Sequence, residues 1–114
     1  MKIECFEEIL SWQKARELCI LIYRLFESSK DFGFRKQIEK ASVSIMNNIA
    51  EGFERQTNNE FRHFLFIAKG SCGEVRSMLY HAKDAGKISD IDFNKLQAMT
   101  IEISKLLSGL IKTL

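Results

Sequence analysis

Apolar residues recur at alternating intervals of three and four along four stretches of the chain, a spacing that gathers them on one face of an α-helix. The first stretch predicts a helix from about Phe6 to Ser29, with Trp12, Ala15, Cys19, Ile22 and Phe26 in register. The second, from about Phe34 to Arg55, aligns Phe34, Ile38, Ala41, Ile45, Asn48 and Gly52. The third, from about Asn58 to Ala85, aligns Phe61, Leu65, Ala68, Cys72, Val75, Leu79 and Ala82. The fourth, from about Asp90 to Lys112, aligns Leu96, Met99, Ile103, Leu106 and Leu110. No stretch alternates for long with the two-residue period of a strand, and no Asn-Gly or Asp-Gly hairpin turn occurs.

The residues between the stretches agree with this division. Asp31-Phe32-Gly33 reads as a break after the first helix. Thr57-Asn58-Asn59-Glu60 has the form of a capping box, in which the Thr oxygen accepts an orphan amide and Glu60 reaches back. Gly86 is placed to end the third helix in a left-handed conformation, and Ser89 to cap the fourth ahead of Asp90 and Asp92. With no proline in the chain, nothing interrupts a long helix from within. Long helices joined by short turns must pack against their sequence neighbours. The expectation is all-α: an antiparallel up-down-up-down four-helix bundle, residues 1–114 forming one domain.

Composition narrows the function classes without choosing one. At 46% hydrophobic and 28% charged residues the chain has enough apolar surface for a core, which excludes disorder. The formal charge of +2 is small for a domain held to nucleic acid by charge alone. No apolar run approaches the roughly 18 residues of a membrane span. The opening MKIECFEEIL lacks the basic and apolar regions of a signal peptide. Three cysteines without a CxxC spacing read as reduced thiols, hence a cytoplasmic protein.

The first helix carries more apolar surface than one core face uses. Leu18, Leu21 and Leu25 form a second stripe beside Trp12, Cys19 and Phe26, and Phe64, Phe66 and Ile67 widen the third helix in the same way. A helix apolar on two sides is buried on two sides. Leu18, Leu21 and Leu25 are therefore the expected oligomer interface.

Polar residues interrupt the stripes at a few positions. Asn48 falls on the apolar line of the second helix, with Ser44 and Glu51 close by, and Gly70-Ser71-Cys72-Gly73-Glu74 puts two glycines inside the third. Asn48, Ser71 and Glu74 are expected to satisfy one another across a helix pair, as a polar layer that fixes register. Mid-helix glycines cost about 1 kcal/mol each against alanine, and they commonly mark a close helix approach.

Ser44-Ile45-Met46-Asn47-Asn48-Ile49-Ala50-Glu51-Gly52 resembles the Ser-Ile-x-x-Asn-Ile-Ala-Glu-Gly signature of the small proteins encoded in 23S rRNA intervening sequences. Glu60-Phe61, Phe64-Leu65, Ile67-Ala68, Gly70-Ser71 and Glu74 continue the likeness downstream. Phe6, Trp12, Ala15 and Ile22-Tyr23 carry it upstream. The resemblance implies a four-helix bundle assembled as a homopentameric ring. It also implies kinship with the accessory protein of diversity-generating retroelements, which works with a reverse transcriptase and nucleic acid. Two positions depart from the pattern: Met46 stands where many members have proline, and Glu39-Lys40 replaces what is often a basic pair.

Enzyme chemistry finds little support in the spacing. Glu60-Phe61-Arg62-His63 has the Glu-x-x-His spacing of di-iron bundles, but such sites need a second copy, and His81 has no glutamate three positions before it. Cys19 and Cys72 lie on core stripes, where a thiol behaves as a small hydrophobe. The glycines lack the spacing of a phosphate-cradling loop. Neither catalysis nor a cofactor or metal is expected.

Arg62, Lys69, Arg76 and Lys83 recur every seventh residue along the third helix, and Arg55 continues the spacing backwards. The four share one helix face over about 30 Å, and none has an acid three or four positions away. Such a stripe suits phosphate contacts, with Tyr80 placed to stack on a base. Two functions remain open. One is a homo-oligomeric scaffold that holds RNA or DNA along this stripe. The other is a protein-interaction module, such as a reverse-transcriptase accessory, whose cations are neutralised between subunits.

Overall fold

The second, third and fourth helices each start at a side-chain cap, whereas the first starts after an extended Ile9 with none. A computed structural model describes residues 2–114 of the chain. A 3₁₀ turn over Phe6–Glu8 leads into α1 (Leu10–Phe26), followed by α2 (Phe32–Phe53), α3 (Asn58–Asp84) and α4 (Asp90–Lys112). The described residues contain no strand.

Three boundaries move from the sequence expectation, one being the end of the first helix, at Phe26 rather than Ser29. The first helix does not run unbroken from Phe6, because the Glu8 carboxylate accepts the amides of Glu4 and Cys5 and closes a separate turn. Ile9 then takes an extended conformation and is buried. Asp31-Phe32-Gly33 is not a break in its entirety: Asp31 caps α2 by accepting the Phe34 amide at 3.2 Å, and Phe32 and Gly33 belong to the first turn.

The other caps stand where expected. Thr57 Oγ1 accepts the Glu60 amide at 3.1 Å and donates its proton to the Glu60 carboxylate, so the pair closes through side chains. Gly86, at φ +69°, ends α3: its amide donates to the Lys83 carbonyl, and that of Lys87 to the Ala82 carbonyl. Ser89 accepts the Asp92 amide at 3.1 Å.

Neighbouring helices run antiparallel, as the order of their contacts shows. Cys19 and Phe26 of α1 meet Ser42 and Phe34 of α2. Gln37, Ser44 and Phe53 of α2 meet Glu74, Ser71 and Phe61 of α3. Cys72 and Tyr80 of α3 meet Thr100 and Phe93 of α4. The result is a four-helix bundle of 43 × 22 × 19 Å. Its core is formed by Ile22, Ile38, Ile45, Ile49, Leu65, Leu79, Ile103 and Leu107, all fully buried, with their neighbours.

All seven positions of the α3 line are buried, and five of the six on α2, with Asn48 at the margin. The α4 line is rotated. Its buried residues are Phe93, Leu96, Gln97, Thr100, Ile103 and Leu107, whereas Met99, Leu106 and Leu110 are only half-buried. Thr100 and Gln97 take central places because their polar atoms are satisfied: Thr100 Oγ1 donates to the Gln97 carbonyl at 2.8 Å, and the Cys72 thiol donates to the Thr100 carbonyl at 3.2 Å. The rotation turns Met99, Leu106 and Leu110 toward α1, the neighbour on which α4 packs least closely.

Candidate functional site

The edge where α3 meets α4 carries the basic residues, and their environments divide them. Arg55 is paired with Glu51 at 3.4 Å and lies over the Phe64 ring. Arg62 donates to the Asn59 side chain at 2.7 Å and to the carbonyl of Leu114. Lys83 sits 4.5 Å above the Phe93 ring, a cation–π contact. Lys69 and Arg76 make no side-chain hydrogen bond or ion pair among the described residues; Arg76 contributes only its backbone carbonyl, to Gln97. The centre of the stripe is thus free, while its ends are tied to the protomer. Tyr80 packs edge-on against Phe93 and remains 56% exposed, leaving ring surface beside Arg76 and Lys83.

The polar layer forms with a different membership. Asn48 Nδ2 donates to the Ser44 carbonyl at 2.8 Å and to Ser44 Oγ at 2.9 Å, and Ser44 Oγ meets Ser71 Oγ at 2.9 Å across the α2–α3 seam. Glu74 stands outside this relay and accepts from Gln37 instead. Glu51 is exposed and turned to Arg55. Gly52 is buried where α3 crosses α2. Gly70 and Gly73 are not at a close approach within the protomer, since a Cβ added at either would meet nothing within 4 Å.

The second apolar stripe of α1 splits in the same way. Leu18 is fully buried within the protomer, which corrects its expected place on an exposed interface: its face of α1 is already covered by the bundle core. Leu21 and Leu25 are half-buried and line an open groove between α1 and α4. The widest section of this groove, about 1070 Å³, lies toward the start of α1 between Leu10 and Leu106. Met99 and Glu102 continue it into a second section, and Leu21 and Lys95 into a third. Periodicity alone did not reveal it, because the groove exists only once the α4 line is rotated.

Among the described residues the buried titratable groups are the thiols of Cys19 and Cys72. Burial pushes the Cys72 thiol up to about 11, and burial likewise raises Cys19, so both sulfurs stay protonated and inert near neutrality. His63 is exposed and packs its ring against Phe64. Among the described residues no three His, Cys, Asp or Glu side chains gather as a metal would require, and no helix is long and apolar enough to cross a membrane.

The arrangement is a small all-helical domain, a four-helix bundle with a polar α2–α3 seam and a basic α3 edge. Residues 7–109 match the model of the 23S rRNA-intervening sequence protein family, and the chain belongs to that family. Its fold is similar to that of a protein of unknown function from the S23 ribosomal protein family of Bacteroides thetaiotaomicron. The two share 27% identity at a TM-score of 0.85, over 90% of this chain and 99% of the other. No curated protein matches the sequence.

Proposed function

We propose that the protein is a non-enzymatic scaffold that assembles as a homopentameric ring and holds RNA or DNA weakly, without sequence preference, along the α3 edge. The observation that carries the nucleic-acid part is the freedom of Lys69 and Arg76 in a protomer whose other stripe cations are engaged. Two unpaired cations seven residues apart on one face are spaced for phosphates. Assembly is supported by the groove at Leu21 and Leu25, an apolar surface left open by the protomer. A ring repeats each weak contact around its axis, so avidity compensates for a net charge of only +2 per chain.

The test is a mobility-shift titration at several salt concentrations, alongside gel filtration. Each phosphate neutralised should contribute about 0.7–0.9 to the slope of log affinity against log salt. Lys69→Glu with Arg76→Glu should abolish binding and leave the assembly mass unchanged. Dissociation of the assembly by the same pair would mean that the cations neutralise acids between subunits. The protein would then be an interaction module, of the kind that accompanies a reverse transcriptase. Wild-type protein that retards no nucleic acid at low salt would end the nucleic-acid reading.

A further inference from the structure

We propose that the α1–α4 groove of one protomer is filled by the outward face of α3 from a second copy of the chain. This rests on the homo-oligomeric reading above and names the two surfaces that meet. The groove runs along α1 from Leu10 to Leu25, about 22 Å at 1.5 Å per residue. Its floor is apolar, and Leu10 remains 48% exposed at one end. Ser11 lines the widest section, and its hydroxyl is buried without a hydrogen-bond partner. A buried polar atom left unpaired is unfavourable in the isolated protomer.

The chain carries one surface shaped to enter such a groove. Phe66, Gly70, Gly73, Ser77 and Tyr80 follow one another at intervals of four, three, four and three, so they share the outward line of α3. Glycine is the poorest helix former after proline, yet neither Gly70 nor Gly73 has a neighbour within the protomer that needs the space. The outward line is therefore thin at its centre and bounded by two exposed aromatic rings. A thin helix stripe lets its backbone sink between two others. The stripe from Phe66 to Tyr80 spans about 21 Å, the length of the groove.

Charge fits as well. The groove is rimmed by both signs, Lys14 paired with Glu17 on α1 and Lys95 and Glu102 along α4, and the five residues of the α3 line are uncharged, so neither surface sets a net charge against the other. Lys69 and Arg76 lie roughly a quarter turn round α3 from this line, bordering the seam on its α4 side, where phosphate can still reach them. Because groove and stripe are different surfaces, the contact is head-to-tail, the kind that closes into rings.

The test is Gly70→Leu with Gly73→Leu, read by gel filtration with light scattering and by circular dichroism. Both positions are open within the protomer and leucine favours helix, so helicity and Tm should equal or exceed wild type. The mass should fall to that of one protomer. An unchanged mass assigns the groove to another occupant and overturns the proposal while leaving the oligomer intact. A wild-type protein that is itself monomeric overturns both. As a direct check in a Cys5→Ser background, Leu21→Cys and Ser77→Cys proteins should cross-link on oxidation only when mixed. Cross-linking of Leu21→Cys with itself would show a two-fold contact and contradict the head-to-tail seam.

Discussion

A Cβ added to Gly52 would stand 2.6 Å from the Cβ of Phe64 and 3.3 Å from the Phe61 carbonyl oxygen. Gly52 closes the nine-residue Ser44–Gly52 stretch, is one of two glycines on α2 with Gly33 of the first turn, and lies against Phe61 and Phe64 in the first turns of α3. The signature thus ends, at Gly52, on a helix crossing too close for a Cβ.

Gly52→Ala sets two effects against each other. Alanine gains about 1 kcal/mol in helix propensity, and overpacking against a neighbouring Cβ and backbone costs about 1–3 kcal/mol. The clash is with atoms that cannot swing away, so overpacking wins. The variant is expected to be less stable by about 1 kcal/mol or more, with Tm lower by about 4 °C or more, measured by thermal denaturation.

The Asn48–Ser44–Ser71 relay should behave as one unit. Asn48→Leu and Ser71→Ala are each expected to cost about 1 kcal/mol, because each leaves Ser44 with one partner fewer. The double variant should lose less than the sum, a coupling read from a double-mutant cycle in urea. Additive losses would show that the two bonds act independently. If the layer also fixes the geometry of assembly, Asn48→Leu should broaden the distribution of oligomers while keeping full helicity.

Thiol chemistry should separate the three cysteines. Cys5 is exposed, whereas Cys19 and Cys72 are buried and their thiols raised by that burial. One thiol per folded chain is expected to react with a disulfide reagent at pH 8, and three after unfolding. Folding also favours the neutral form of Cys72, so its contribution to stability is complete below its ordinary value of 9.0 and is lost as pH rises toward about 11.

Asp31 makes the opposite dependence at the acid end. The Phe34 amide chiefly, and then Lys87 at 3.1 Å, hold its carboxyl below the ordinary value of 3.8. A lowered carboxyl stabilises the fold above the unfolded value and loses that effect as pH falls through the folded one. Asp31→Asn keeps a cap but no charge. Its Tm should therefore fall less than that of wild type between pH 5 and pH 3, in parallel thermal melts.

How much of this was legible in the sequence depended on whether apolarity marked the buried positions. On α3 it did, and every residue of the line from Phe61 to Ala82 is buried. On α4 it did not, because Gln97 and Thr100 are buried as hydrogen-bonded polar residues, and a hydrophobic pattern reads such positions as solvent. That displacement hid the groove, since Met99, Leu106 and Leu110 looked like core. Leu18 was misplaced for a related reason: one helix spacing is shared by a wide core face and by a second, exposed stripe, and only the packing of α4 decides between them. The basic stripe was legible by its seven-residue repeat. Which of its cations are free was not, because the partners of Arg62 and Lys83 come from Leu114 and Phe93, distant in sequence.

The mass of the wild-type protein in solution bears most directly on the central claim. Light scattering at micromolar concentration should return one species of five times the 13.2 kDa protomer, unchanged across moderate salt. A single 13.2 kDa species would contradict the scaffold account, leaving the α1–α4 groove open to water.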